Sequence, residues 1–217
     1  MASLIDHLEA ELNSALTKWA DSFYLKRELN KLIIFGRLNI TGPDSSIIDG
    51  FNIEIEIPQD FPKRVPLVRE VGGRVPRKPE RHINDDGSAC LFIPMEKAKW
   101  FPTEKMTNPE ILRNFINVPV YWYFVGQLAF EKAGKWPWPE WDHGALGIYD
   151  FFAERYNLPN NLTDRWKKYF VRMLLAKKLK QNWKCFCGTY KALRECHGPQ
   201  IVELRQAQIV INSLRSR

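Results

Sequence analysis

The stretch HINDDGSACLFIP, residues 82–94, decides how this chain is read. It sets one thiol, Cys90, six residues after the amide of Asn84 and eight after the imidazole of His82, across an Asp-Asp-Gly turn. A histidine near a cysteine favours the thiolate or moves protons. An asparagine amide can donate to a tetrahedral oxyanion. The same residues also suit a buried cysteine acting as a small apolar side chain, with His82 and Asn84 satisfying loop backbone. Asp85 and Asp86 place negative charge nearby, which disfavours a strongly depressed thiol pKa. Leu91, Phe92 and Ile93 are apolar, so the loop is expected to be packed down.

Upstream, residues 3–20 carry Leu4, Leu8, Leu12, Ala15, Leu16 and Trp19 at helical spacing, with Ser3 placed to cap. Leu32 to Ile40 reads as a strand, ended by Gly42-Pro43-Asp44. Phe51, Ile53, Ile55 and Ile57 alternate with Asn52, Glu54 and Glu56, the period of a half-buried strand. A further short strand is expected at Val65-Pro66-Leu67-Val68, entered through prolines. The order is helix, then an antiparallel meander of about three strands. Residues 72–106 are rich in proline and glycine and read as a long irregular loop.

Downstream, Thr107-Asn108-Pro109-Glu110 has the pattern of a capping box. Pro119 is expected to break or kink the helix that follows. A second helical stretch runs to about Ala133, then a Trp- and Pro-rich loop containing Trp136, Trp138, Trp141 and His143, then a short helix over about 147–156. The three tryptophans suit a packing plug. Pro159-Asn160-Asn161 reads as a boundary between residues 1–158 and a helical extension, 159–217. In that extension Thr163 can cap an amphipathic helix with Trp166, Phe170, Met173 and Leu174 on one face, and a last helix starts near Gln200.

The net charge of +7 is unevenly placed: residues 163–217 hold 13 Lys and Arg against 3 Asp and Glu. Three of the four cysteines lie there too. Cys185, Cys187, Cys196 and His197 supply four ligands within thirteen positions, the donor set of a structural zinc site. Such clustering differs from a secreted disulfide framework and points to a reducing compartment, with Cys90 left as a free thiol. The stretch resembles the SEC-C zinc motif, CxCG followed by a short basic spacer and CC or CH. Cys185, Cys187, Cys196 and His197 match its ligand positions, Gly188 its glycine and Lys191 its spacer, with Thr189 where serine is usual. The resemblance implies bound structural zinc and no catalysis there, because protein fills all four positions.

Residues 3 to about 125 resemble the ubiquitin-conjugating (E2) superfamily. The order of elements matches, including the proline-marked stretch Phe61-Pro62-Lys63-Arg64-Val65-Pro66. His82-Ile83-Asn84 stands where the superfamily has His-Pro-Asn, and Gly87-Ser88-Ala89-Cys90-Leu91 where it has Gly-Ser-x-Cys-Leu. Two features depart: Ile83 replaces proline, and Asn84 lies two residues nearer to Cys90 than in the eukaryotic enzymes. The resemblance implies an α+β E2-like domain over 1–158, with the zinc motif of the extension at 185–197. It also implies a catalytic Cys90 that forms a thioester with a protein's C-terminus, assisted by His82 and Asn84. The details look more like prokaryotic E2-like proteins, including those of CBASS antiphage operons, where the partner is the C-terminal tail of a cGAS-like nucleotidyltransferase. His143 is a second candidate on the same resemblance.

Carboxylate activation consumes ATP, and no Gly-rich phosphate loop is present. A separate E1-like activating enzyme or a pre-activated tail is therefore expected. The rival reading is a non-enzymatic E2-fold adaptor that binds a partner's tail, with Cys90 structural. A third, nucleic-acid binding through the basic tail, is not expected, because the sequence lacks the interleaved basic and aromatic surface of single-strand binders. Apolar runs are too short to span a bilayer, and the acidic N-terminus is unlike a secretory signal, so a cytoplasmic location is expected.

Overall fold

The computed structural model describes residues 4–19, 22–29, 31–92, 101, 105–137 and 144–206. Ser3, Trp138, Trp141, His143 and Ile93 lie outside the described residues. The described residues fall into two compact units, the first holding those up to Pro137 and the second those from Gly144 onward.

The first unit opens with α1 (Leu4–Trp19), which buries Leu8, Leu12 and Leu16 along one face. Four antiparallel strands follow in sequence order: β1 (Phe23–Glu28), β2 (Lys31–Thr41), β3 (Ile47–Ile57) and β4 (Leu67–Glu70). In β3 the alternation works as expected: Phe51, Ile53, Ile55 and Ile57 enter the core, while Glu54 and Glu56 turn outward to Arg69 of β4. Register sets Ile34, Ile55 and Val68 side by side across three strands, which makes a continuous apolar row.

The sheet holds one strand more than the sequence suggests. Only Phe23 and Leu25 of β1 pack inward, and the rest of FYLKRE is exposed, so it carries no strong apolar alternation. Its place is marked instead by Gly36 of β2. A Cβ there would stand 2.1 Å from the Ser22 carbonyl oxygen and 2.9 Å from Phe23 Cα, so only glycine lets β1 in.

Thr107 and Glu110 form the expected capping box and open α2 (Asn108–Phe115). Pro119 does not break the chain of helix. Residues Ile116–Val120 form one widened π-type turn, in which the Tyr121 amide reaches back to the Ile116 carbonyl, and α3 (Tyr121–Ala133) continues. The wider turn absorbs the missing proline N–H. Ile111, Leu112, Phe115, Val120 and Phe124 join the strands in one core, with the Phe124 ring tilted against Phe51 at 4.8 Å. Each such fully buried side chain contributes on the order of 1.5–3 kcal/mol.

The second unit has its own core, in α4 (Gly144–Tyr156), α5 (Asp164–Leu175) and α6 (Gly198–Gln206). The division thus precedes α4, whereas the sequence reading places it at 158. The reason is packing: Tyr149 and Phe152 of α4 interlock with Phe170 of α5 at 5.2 and 5.8 Å. Tyr149 also donates from its hydroxyl to the Pro159 carbonyl at 2.6 Å, which ties down the segment that looked like a linker. No helix of the described residues is long and apolar enough to cross a membrane.

Candidate functional sites

In the first unit the quoted stretch folds back on itself. The Asn84 amide donates to the Ser88 carbonyl at 2.8 Å, and Gly87 N–H to the Asn84 carbonyl at 2.9 Å. Gly87, at φ +80°, supplies the left-handed residue of this three-residue turn. Ile83 and Ala89 then face each other as a bridge, and the Cys90 amide donates to the His82 carbonyl at 2.7 Å. The turn is held from within by its polar side chains. Asp86 accepts from the Ser88 hydroxyl at 2.6 Å and from the Ser88 amide at 3.0 Å, and the Asn84 side-chain amide donates to Ser88 Oγ at 3.0 Å. The Ser88 hydrogen bonds hold the Asp86 carboxyl below its ordinary pKa. The whole turn docks on the sheet through Ala89 N–H, which donates to the Val68 carbonyl of β4 at 2.7 Å.

The structure therefore brings His82 and Cys90 together as opposed backbone positions, with Cys90 half-buried. It gives Asn84 a turn-holding partner in Ser88. Leu91 and Phe92 pack against the core, as expected, and anchor the chain after the thiol.

His82 sits at φ 49°, ψ 48°, a left-handed conformation uncommon outside glycine, at the end of a 3₁₀ turn over Pro79–Arg81. What holds it there escaped the sequence reading. The Arg81 carbonyl accepts from Tyr123 Oη at 3.0 Å and Gln127 Nε2 at 2.7 Å, and Arg81 Nε donates to Gln127 Oε1 at 2.6 Å. Gln127 is fully buried and Arg81 nearly so, its guanidinium stacked 4.7 Å over Phe130. Burial pushes the Tyr123 hydroxyl pKa up. Trp136 donates to the Glu80 carbonyl at 2.9 Å and stands edge-on to the His82 ring at 4.5 Å. The one sequence signal was a glutamine inside the apolar face of α3.

In the second unit Cys185, Cys187, Cys196 and His197 converge: their ligand atoms all lie within 4.8 Å of one another. His197 Nδ1 is 3.2 Å from Cys185 Sγ and 3.1 Å from Cys196 Sγ, and Cys187 and Cys196 sulfurs are 3.5 Å apart. A tetrahedral ion with thiolate and imidazole ligands would set such edges at about 3.6–3.8 Å. Three thiols and an imidazole at these separations can hold a metal ion. A hairpin over 183–193 delivers the first two ligands, closed by Cys185 N–H to the Lys191 carbonyl at 2.9 Å and Leu193 N–H to the Trp183 carbonyl at 2.7 Å. Gly188 makes the turn at φ +80°. Gly198 follows the last ligand where a Cβ would press on the Leu193 carbonyl at 2.8 Å. Burial pushes the Cys185 thiol up to about 12 and lowers the His197 imidazole. Phe186, between the first two ligands, is fully buried against Phe170 at 4.9 Å and His197 at 4.9 Å. The ligand loop is thus part of the core and not an appendage.

No protein-family model matches the chain. Over 94 residues it is 31% identical to a probable ubiquitin-conjugating enzyme E2 of Acanthamoeba polyphaga mimivirus, a span of 42% of this chain and 54% of that protein. The chain spans about half the length of that curated relative. The likeness supports an E2-like relationship, and the α+β unit of four antiparallel strands with flanking helices is compatible with an E2-like fold.

Proposed function

We propose that the chain is an E2-like acyl transferase whose nucleophile is Cys90. The observation that carries this reading is the hairpin that sets a half-buried thiol opposite a histidine held in a strained conformation, in a chain similar to a ubiquitin-conjugating enzyme. Strain of this kind persists where surrounding structure over-determines it, as the Arg81–Gln127–Tyr123 network does here.

The chemistry splits one acyl transfer into two. The Cys90 sulfur attacks the carbonyl carbon of a protein C-terminus carried as a thioester by an E1-like enzyme. The bond to Cys90 forms, the bond to the donor's sulfur breaks, and the Cys90 proton ends on the departing thiol. An acceptor amine then attacks, the C–N bond forms, and Cys90 leaves as thiolate. His82 takes the amine's proton, and the Asn84 amide hydrogen not spent on Ser88 donates to the oxyanion. On the resemblance to CBASS proteins, the tail belongs to a cGAS-like nucleotidyltransferase and the setting is antiviral defence. The Cys185, Cys187, Cys196 and His197 set holds structural zinc, for which its thiolate-rich donors are suited.

The test is transthioesterification with a synthetic peptide α-thioester, read by intact mass. The expected adduct is removed by dithiothreitol and absent in Cys90→Ala, while Cys90→Ser gives a thiol-resistant ester. Tight non-covalent binding of the peptide by wild type and Cys90→Ala alike, with no adduct, would establish the adaptor instead.

A further inference from the structure

The second unit carries a concave site of about 460 Å³ lined by Arg165, Trp166, Lys168, Tyr169, Arg172 and Lys184. Four of the six are cations and none is an acid. No ion pair links any of the four to a carboxylate among the described residues. Arg165, Lys168 and Arg172 follow one another along one face of α5, stepping about 4.5–6 Å along the axis. The ligand-bearing hairpin brings Lys184 to the same place, and Tyr190 stands beside it, 66% exposed, 5.8 Å from Trp166. The Lys184 ammonium lies 5.0 Å from the Tyr190 ring.

Unneutralised cations in line are a track for successive phosphates. Aromatic rings among them, one largely open to solvent, are platforms for bases. An acidic peptide would use the cations and leave the rings without a role. A lone phosphate would leave most of the volume empty. We infer that this face binds a short single-stranded nucleic acid, with Arg165, Lys168, Arg172 and Lys184 on the phosphates and Tyr190 and Trp166 against the bases. Arg165, Trp166, Lys168 and Tyr169 already interleave charge and rings along the sequence, against the expectation drawn from it, and the hairpin adds Lys184 and Tyr190. The inference stands independently of the transferase reading.

The test uses the full chain and fluorescein-labelled 12-nucleotide single strands of RNA and DNA, read by anisotropy across a salt series. Binding of either is expected, with affinity falling as salt rises. Arg165→Ala, Lys168→Ala and Arg172→Ala combined should weaken it at least tenfold and reduce the log–log salt slope by about 2, at about 0.7 per lost contact. Tyr190→Ala should weaken it about tenfold with the slope unchanged, since stacking is not ionic. Both sets are exposed side chains, and an unchanged circular dichroism spectrum and metal content accompany the measurement. Absence of binding, an affinity indifferent to Tyr190→Ala, or equal competition by polyglutamate would each overturn the inference.

Discussion

The Cys90 amide donates to the carbonyl of His82 at 2.7 Å, so the two residues are fixed to each other through the main chain. That link does not pass through either side chain. On that basis His82→Ala leaves the thiol in place. Discharge of a Cys90 thioester to an amine is expected to slow by about 100-fold, the lower end for general acid–base catalysis. Thioester formation should change only a few-fold. Single-turnover mass spectrometry of each half-reaction checks this, and equal loss in both halves would remove His82 from proton transfer.

Gln127 holds both ends of Arg81, its carbonyl and its guanidinium, inside the core. Gln127→Leu leaves Arg81 Nε without its acceptor and the Arg81 carbonyl with Tyr123 alone, and is expected to cost about 1–3 kcal/mol of stability. Because the same network holds His82 at the end of its turn, Cys90 should also react faster with iodoacetamide in native buffer. Urea titration and alkylation rates read the two effects.

Gly36→Ala is expected to cost about 1–3 kcal/mol by overpacking. The added methyl meets the Ser22 carbonyl and Phe23 Cα, which are backbone and cannot swing away. Hydrogen exchange should show protection lost first in residues 23–28.

Arg74 forks between Asp49, at 2.6 Å, and Glu131, at 2.6 Å, with its guanidinium over Phe51. The hydrogen bond from Arg74 holds the Asp49 carboxyl well below its ordinary range. A folded-state pKa below the unfolded value of about 3.9 gives stability that is complete above about pH 5 and lost as pH falls toward the folded value. Asp49→Asn should therefore be less stable than wild type at pH 7, with the gap narrower but still open at pH 3. Denaturant midpoints at the two pH values measure it.

Removing metal with phenanthroline should unfold residues 144–206 and leave the first unit intact, because the ligand loop supplies Cys185, Phe186 and Leu193 to the second core. Limited proteolysis before and after chelation distinguishes this from a local effect. Cys185→Ala should behave as the chelated protein does.

Legibility in the sequence follows the strength of local signals. The period of β3, the capping box at Thr107 and the four-ligand spacing at 185–197 each rest on neighbours in the chain, and all three stand in the structure. The sequence does not mark strand β1, and it marks helix α4 at about 147–156 but not the unit that helix belongs to, because tertiary partners decide both: Gly36 admits the first, and Phe170 claims the second. At the cysteine loop the sequence pointed to His82, Asn84 and Cys90 but could not show Ser88 as the partner of Asn84, nor Arg81 and Gln127 behind His82. Those contacts span 4 and 46 residues and are set by a turn geometry and a helix face.

The sheet has two margins, and they are guarded differently. On one, β1 shows water Lys26, Arg27 and Glu28, charges that discourage a second chain from pairing there. On the other, β4 offers an open main-chain acceptor at Val68, and the hairpin takes it with Ala89, one residue before the thiol. Loosening that hairpin would uncover a sticky edge at the same moment as it misplaced the nucleophile. Substitutions that loosen the turn, at Asp86, Gly87 or Ser88, should thus be seen in the insoluble fraction as well as in the assay, and the pressure to stay dispersed and the pressure to react bear on the same short hairpin.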